Sequence, residues 1–141
     1  MESAIAAVIF DYRGVITSPP GEGGEVRPQM VAALDRLAAH GYRLACITNN
    51  TRGGRGDEAI FARFEQVLES ARAGVRKPDP RIYLMMCEKL GLEPADCVYL
   101  DDLGINCKPA AALGMHAIKV TSGEQALADL SAALGLELAA G

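Results

Sequence analysis

The chain has no tryptophan, and aromatic residues make up only 5% of it. Its core must therefore be filled by aliphatic side chains, and the abundance of Ala and Leu suits helices packed on a sheet. Positive charge is also short: 14 Lys and Arg against 18 Asp and Glu leave a net charge of −4. That balance argues against a general nucleic-acid-binding surface, which needs clustered Lys and Arg. No apolar run approaches the roughly 20 residues of a membrane span, so no association with a membrane is expected. The four cysteines, Cys46, Cys87, Cys97 and Cys107, include no CxxC pair. They read as buried, reduced thiols of a cytoplasmic protein rather than disulfide or zinc ligands. The opening Met-Glu-Ser-Ala carries no basic stretch, so no signal peptide is expected. No internal repeat is visible.

What is present is an alternation of strand and helix patterns in 141 residues, half of them hydrophobic. That length suits one domain spanning 1–141. Ala6–Phe10, Arg43–Ile47, Gln66–Glu69, Cys97–Leu100 and His116–Val120 read as strands. Gln29–Ala39 reads as a helix, with Met30, Leu34 and Leu37 on one face, Pro28 at its start and Gly41 at its stop. Pro80–Leu90 reads likewise, with Ile82, Met86 and Leu90 in line and Gly91 as its C-cap. Glu58–Phe64 is a short helix and Pro109–Leu113 the core of another. Thr121 and Glu124 fit a capping box before a last helix carrying Leu127, Leu130 and Leu134. Alternating strands and helices imply an α/β fold with a parallel sheet covered on both faces. Two stretches lack any hydrophobic period. One is the Gly/Pro loop at 17–27, and the other is the loop at 51–57.

The strands end in polar residues. Asp11 follows the first, Thr48-Asn49-Asn50 the second and Asp101-Asp102 the fourth, while Lys77 comes after the third in Gly74-Val75-Arg76-Lys77-Pro78-Asp79-Pro80. Ligands of open α/β sheets bind beyond the C-terminal ends of the strands. Each end alone is an ordinary loop, but together their chemistry is coherent. Asp11 and Asp102 offer hard oxygen ligands for Mg²⁺. Lys77 can neutralise a phosphate, which the Thr48 hydroxyl and nearby N–H groups can hydrogen-bond. Asp11 can then attack phosphorus as a carboxylate nucleophile.

The order and spacing of these residues resemble the haloacid dehalogenase (HAD) superfamily of hydrolases, over about residues 5–120. Phe10-Asp11-Tyr12-Arg13-Gly14-Val15 is similar to its first motif, Ile47-Thr48-Asn49-Asn50 to its second, Arg76-Lys77-Pro78-Asp79-Pro80 to its third and Tyr99-Leu100-Asp101-Asp102-Leu103-Gly104-Ile105-Asn106 to its fourth. Within the family, the last two look most like the branch that contains the phosphatase domain of soluble epoxide hydrolases. The resemblance implies a three-layer α/β/α Rossmann-like fold with strand order 3-2-1-4-5. It implies Asp11 as nucleophile, Thr48 and Asn49 with Lys77 as the substrate-binding group, and Lys77 as the conserved base. Asp11, Asp102 and the backbone carbonyl of Arg13 would be the metal ligands, with Asp101 and Asn106 in support. The implied cofactor is Mg²⁺, and the implied substrate a phosphorylated small molecule, handled by a monomer or homodimer.

Two positions depart from that pattern. Family phosphatases usually place a second Asp two residues after the nucleophile, to protonate the leaving group and then activate water. Arg13 stands there, and arginine cannot serve as a general base. The nearest relatives also insert a helical cap between the first and second motifs, where this chain has only the loop at 17–27 and one helix. That loop reads as a naturally capless form or as a short joining segment in place of a cap. The expected function is therefore a Mg²⁺-dependent phosphatase, weak and promiscuous. A metal-free 2-haloacid dehalogenase and a non-catalytic scaffold are the alternatives. Arg52 and Arg55 could attract anions but read more simply as a solvated loop. His40 fits a helix C-terminus, and His116 opens a strand with no ligand partner.

Overall fold

The computed structural model describes residues 5–50 and 57–138. Arg52 and Arg55 lie outside them. Five strands, β1 (Ala7–Phe10), β2 (Arg43–Thr48), β3 (Gln66–Glu69), β4 (Cys97–Asp101) and β5 (His116–Lys119), form one parallel sheet of order β3-β2-β1-β4-β5. The helices are α1 (Pro28–Ala39), α2 (Glu58–Phe61), α3 (Ser70–Ala73), α4 (Pro80–Leu90), α5 (Gly104–Leu113) and α6 (Gly123–Leu134). Both the α/β class and the strand order match the expectation.

Alternate side chains of a strand face opposite sides of its sheet, and β1 shows this directly. Val8 and Phe10 join a core with Met30, Leu34 and Leu37 of α1 and Leu127, Leu130 and Leu134 of α6. Ala7 and Ile9 join a second core with Ile82, Met86 and Leu90 of α4 and Ala110 of α5. All four β1 residues are fully buried. This is why β1 reads as a continuous apolar run and not an alternating one.

Several element ends differ from the sequence reading. The capping box of α6 is Ser122 with Gln125, one residue beyond the expected pair. Ser122 Oγ accepts the Gln125 N–H at 3.0 Å, and Gln125 Oε1 accepts the N–H of Thr121 at 2.7 Å and of Ser122 at 3.4 Å. The helix starts at Gly123, so Ser122 is its N-cap and Gln125 its third residue, which places the box one position later than Thr121 with Glu124. Helix α2 stops at Phe61, because the chain must reach β3, where the Glu65 N–H already bonds to the Leu44 carbonyl at 2.7 Å. Helix α5 begins at Gly104 and runs through Pro109. The missing N–H of Pro109 leaves the Ile105 carbonyl without its usual helical donor, on a residue that is 63% exposed. The one-turn helix α3 carries no periodicity that a sequence reading could find.

The loop at 17–27 is pinched shut. An antiparallel bridge joins Thr17 to Val26. Ser18 N–H bonds to the Glu25 carbonyl and Arg27 N–H to the Ile16 carbonyl, each at 2.8 Å, around a single turn at Pro20–Glu22. Among the described residues, no helix is long and apolar enough to cross a membrane.

Candidate active site

Asp11, Thr48 and Asp101 lie at the C-terminal ends of the three central strands, and the register brings those ends level. Phe10 pairs with both Cys46 and Leu100, so the residues that follow emerge side by side. The Asp11 N–H continues the ladder onto the Leu100 carbonyl at 2.9 Å. The backbone then wraps through a wide turn closed by the Thr17 N–H on the Tyr12 carbonyl at 3.1 Å. Gly14 sits in that turn at φ +90°, and a Cβ there would lie 2.3 Å from Asp102 Oδ2. No other residue fits between the turn and the Asp102 carboxylate.

Lys77 is the centre of the site. Its Nζ lies 2.9 Å from Asp11 Oδ1, 2.9 Å from Asp101 Oδ2, 3.0 Å from the Ile47 carbonyl and 3.0 Å from the Tyr99 hydroxyl. An ammonium has three N–H donors, so four acceptors already oversubscribe it. The side chain is 1% exposed, and those of Asp11 and Asp101 are 9% and 0% exposed. Lys77 therefore acts first on the carboxylates, and a phosphate would have to take over one of these acceptors.

Asn49 holds Lys77 from behind. Its Nδ2 donates to the Lys77 carbonyl at 3.1 Å and its Oδ1 accepts the Lys77 N–H at 3.0 Å. Both ends of the amide face the Lys77 main chain rather than an open site. Thr48 is buried, and its Oγ1 accepts the Asn50 N–H at 3.0 Å, which leaves its proton to be donated. Asn106 is buried in the first turn of α5, and its carbonyl accepts the Tyr83 hydroxyl at 2.6 Å. The Arg13 side chain is exposed. His40 caps α1, its ring Nδ1 lying 2.9 Å from the Arg36 carbonyl, and His116 is exposed at the start of edge strand β5.

The sequence reading missed Tyr99. Its hydroxyl donates to Asp101 Oδ2 and lies on Lys77 Nζ, so it completes the buried polar cluster. The only signal was a polar-tipped residue within an apolar strand two positions before an aspartate.

Oxygens of Asp11, Asp101 and Asp102 lie within 4.8 Å of one another. Two of these three carboxyls, Asp11 and Asp101, share the Lys77 ammonium, and the charge states divide accordingly. Burial pushes the Asp11 carboxyl up to about 7, against the pull of Lys77 and with help from the charges of Asp101 and Asp102. Burial, then the charge of Asp101, raises Asp102 as well. For Asp101, burial is outweighed by Lys77, the Tyr99 hydroxyl and the Leu103 N–H, and its carboxyl is held low. Burial of Lys77 is outweighed by Asp11 and Asp101, so it stays an ammonium. The oxygen-only donor set and its surplus negative charge suit a hard divalent cation.

Comparison with known proteins places the chain in a family. A family model for haloacid dehalogenase-like hydrolases matches residues 20–114. The chain is 40% identical over 114 residues to acyl-CoA dehydrogenase family member 10 of Mus musculus, covering 79% of this chain and 11% of that protein. It is 38% identical over 119 residues to bifunctional epoxide hydrolase 2 of Sus scrofa, covering 79% and 21%. It is 42% identical over 105 residues to flavin mononucleotide hydrolase 1 of Arabidopsis thaliana, covering 72% and 43%. The chain thus spans less than half the length of these relatives. Among solved structures, a haloacid dehalogenase family enzyme of Bacteroides thetaiotaomicron, in complex with magnesium and inorganic phosphate, has a TM-score of 0.64 at 18% identity, covering 84% of this chain and 95% of that one. An uncharacterised protein of Corynebacterium glutamicum reaches a TM-score of 0.78 at 23% identity, covering 94% and 97%. With fold, motif order and family match in agreement, the chain belongs to the haloacid dehalogenase-like hydrolases.

Proposed function

We propose that this chain is a Mg²⁺-dependent phosphomonoester hydrolase that works through an aspartyl-phosphate on Asp11. The observation that carries this reading is the cluster of three carboxyls, only two of which are paired with the single buried ammonium. It leaves a charge deficit that a divalent cation fills, beside a carboxylate already oriented for attack. Lys77 Nζ and the Tyr12 N–H both bond to Asp11 Oδ1, at 2.9 Å each. The other oxygen, Oδ2, is then the one that attacks phosphorus.

Asp11, Asp102 and the Arg13 carbonyl would hold Mg²⁺, which when bound would offset the charge of the phosphoryl oxygens. Asp101 and Asn49 keep Lys77 in place, and Thr48 has a proton to give a phosphoryl oxygen. Attack by Asp11 forms one P–O bond and breaks the ester P–O bond, and the leaving oxygen departs with the electron pair. Water then attacks the same phosphorus, releasing inorganic phosphate and restoring the Asp11 carboxylate. The leaving oxygen needs a proton unless it is stable as an anion, and Arg13 supplies none at the position of the usual acid. Aryl phosphates are therefore favoured over alkyl phosphates.

The domain as we read it is one core, with the pinched loop at 17–27 standing where relatives carry a cap. Without a cap, selectivity would depend on the substrate's own charge and shape. Homologues named as phosphatases support small phosphorylated substrates. A non-catalytic scaffold is the second reading, favoured by the exposed Arg13 at the acid–base position. Hydrolysis of p-nitrophenyl phosphate with and without Mg²⁺, beside Asp11→Asn, tests the proposal. Metal-dependent turnover lost in Asp11→Asn is expected. A folded chain that binds Mg²⁺ and turns over no phosphate ester would overturn it in favour of the scaffold.

A further inference from the structure

Arg27 belongs to none of the four motifs, yet it fastens the start of α1 to the turn behind Asp11. Its Nε donates to the Thr17 carbonyl at 3.3 Å and its Nη2 to the Gly14 carbonyl at 3.5 Å. Its own main-chain N–H bonds to the Ile16 carbonyl at 2.8 Å. The stem runs past the start of α6, where a Cβ on Gly123 would lie 3.3 Å from Arg27 Cδ. The guanidinium is thus aimed by its two hydrogen bonds.

The other side of Gly14 is also held. Thr17 Oγ1 accepts the Gly14 N–H at 3.3 Å and donates to the Ser18 carbonyl at 2.9 Å. Gly14 is therefore gripped at its N–H by Thr17 and at its carbonyl by Arg27, while its Cα is pressed against Asp102. The Arg13 carbonyl belongs to the peptide that carries the Gly14 N–H. A rotation of this turn would therefore move the Arg13 carbonyl relative to the Asp102 carboxylate, which lies against Gly14.

We propose that Arg27 is a positioning residue for the cation: by holding the Gly14 carbonyl, one peptide beyond the Arg13 carbonyl, it fixes the turn and so the spacing between the Arg13 carbonyl and Asp102. The inference rests on the reading of those groups as Mg²⁺ ligands. Only a diverging fork suits the task, because the two carbonyls belong to residues on opposite limbs of the turn. A lysine would offer a point donor and reach one of them.

The test is isothermal titration of Mg²⁺ into the full chain and into Arg27→Gln, Arg27→Lys and Asp102→Asn, with a thermal melt of each. Partners that orient metal ligands typically account for about ten- to a hundredfold in affinity. Arg27→Gln is expected to weaken Mg²⁺ binding within that range while still melting in one transition, and Arg27→Lys to recover part of it. An anchor that served only the loop would lower the melting temperature and leave the Mg²⁺ affinity alone. That result, with binding lost in Asp102→Asn, overturns the Arg27 inference and spares the site. Parent affinity in Asp102→Asn overturns the site reading and the inference with it. Should Arg27→Gln fail to fold, the parent chain decides by nitrogen-15 NMR. Mg²⁺ should shift the Arg27 Nε–Hε and Gly14 amide signals in step, and saturation that leaves the Arg27 signal in place overturns the inference.

Discussion

Replacing Lys77 with methionine keeps a stem of similar length and removes the ammonium. Asp11 and Asp101 then lose the donor they share at 2.9 Å, in a region where the Lys77 and Asp101 side chains are 1% and 0% exposed. Little water can reach in to replace it. Removing one member of a buried ion pair costs about 3–5 kcal/mol, out of the roughly 5–15 kcal/mol that holds a domain together. At a urea dependence of about 2 kcal/mol per M, the unfolding midpoint should fall by roughly 1.5–2.5 M. The effect should also depend on pH. In the parent, the Asp101 carboxyl is held low, so it contributes stability above its unfolded value that is lost as pH falls through its folded one. In Lys77→Met, burial without a counter-ion raises that carboxyl, and stability is lost as pH rises instead. The gap between the two proteins should be widest near neutrality and narrow toward about pH 4. Urea titrations followed by circular dichroism, in metal-free buffer across that range, measure it. A neutral-pH gap below about 1 kcal/mol, the size expected of an exposed pair, or a gap that does not narrow in acid, would refute the reasoning.

Other expectations follow from the same geometry. Because the Asp11 carboxyl is raised to about 7 in the metal-free chain, the folded state holds a proton that the unfolded chain releases near 4. Metal-free stability should therefore decline as pH rises between these values, and Mg²⁺ binding near neutrality should expel protons. Calorimetric enthalpies that do not vary between buffers of different ionisation heat would contradict this. Gly14→Ala forces a Cβ to within 2.3 Å of Asp102 Oδ2 at φ +90°. The backbone strain should cost about 1–2 kcal/mol and the displaced carboxylate about a hundredfold in turnover, so parent-like kcat would count against the close approach. Arg13→Asp should raise hydrolysis of alkyl phosphates by up to about a hundredfold while changing aryl phosphates less. Equal gains on both would mean that leaving-group protonation is not what limits the chain.

Much of the fold was legible because strand ends and helix caps are local chemistry. Val8-Ile9-Phe10 followed by an acid, Pro80 and Gly91 around α4, and the spacing of Leu127, Leu130 and Leu134 each indicate an element without knowledge of the rest. The candidate site was legible where a residue type is costly to bury without purpose, as with Asp11, Lys77 and Asp101. The illegible parts depend on partners distant in sequence. Nothing around Asn49 says that its amide will bracket the Lys77 main chain, and nothing in Cys97–Asp101 says that the Tyr99 hydroxyl will close the charge cluster. Helix α5 was found short because Pro109 looks like a start. The exposure of Ile105, which makes a proline tolerable inside the helix, appears only in three dimensions.

The Lys77 ammonium also has a consequence for the motions of the sheet. It bonds at once to Asp11 beyond β1, to the Ile47 carbonyl in β2 and to Asp101 in β4, residues 66, 30 and 24 positions away from it. Fraying of β1 or β4 alone would part a buried carboxylate from the ammonium, and fraying of β2 would remove one of the acceptors that fix it. The amides of Phe10, Ile47 and Leu100 should therefore exchange with solvent hydrogen only through one cooperative opening. In this small domain the candidate site should also be the clasp that makes this edge of the sheet its slowest to open.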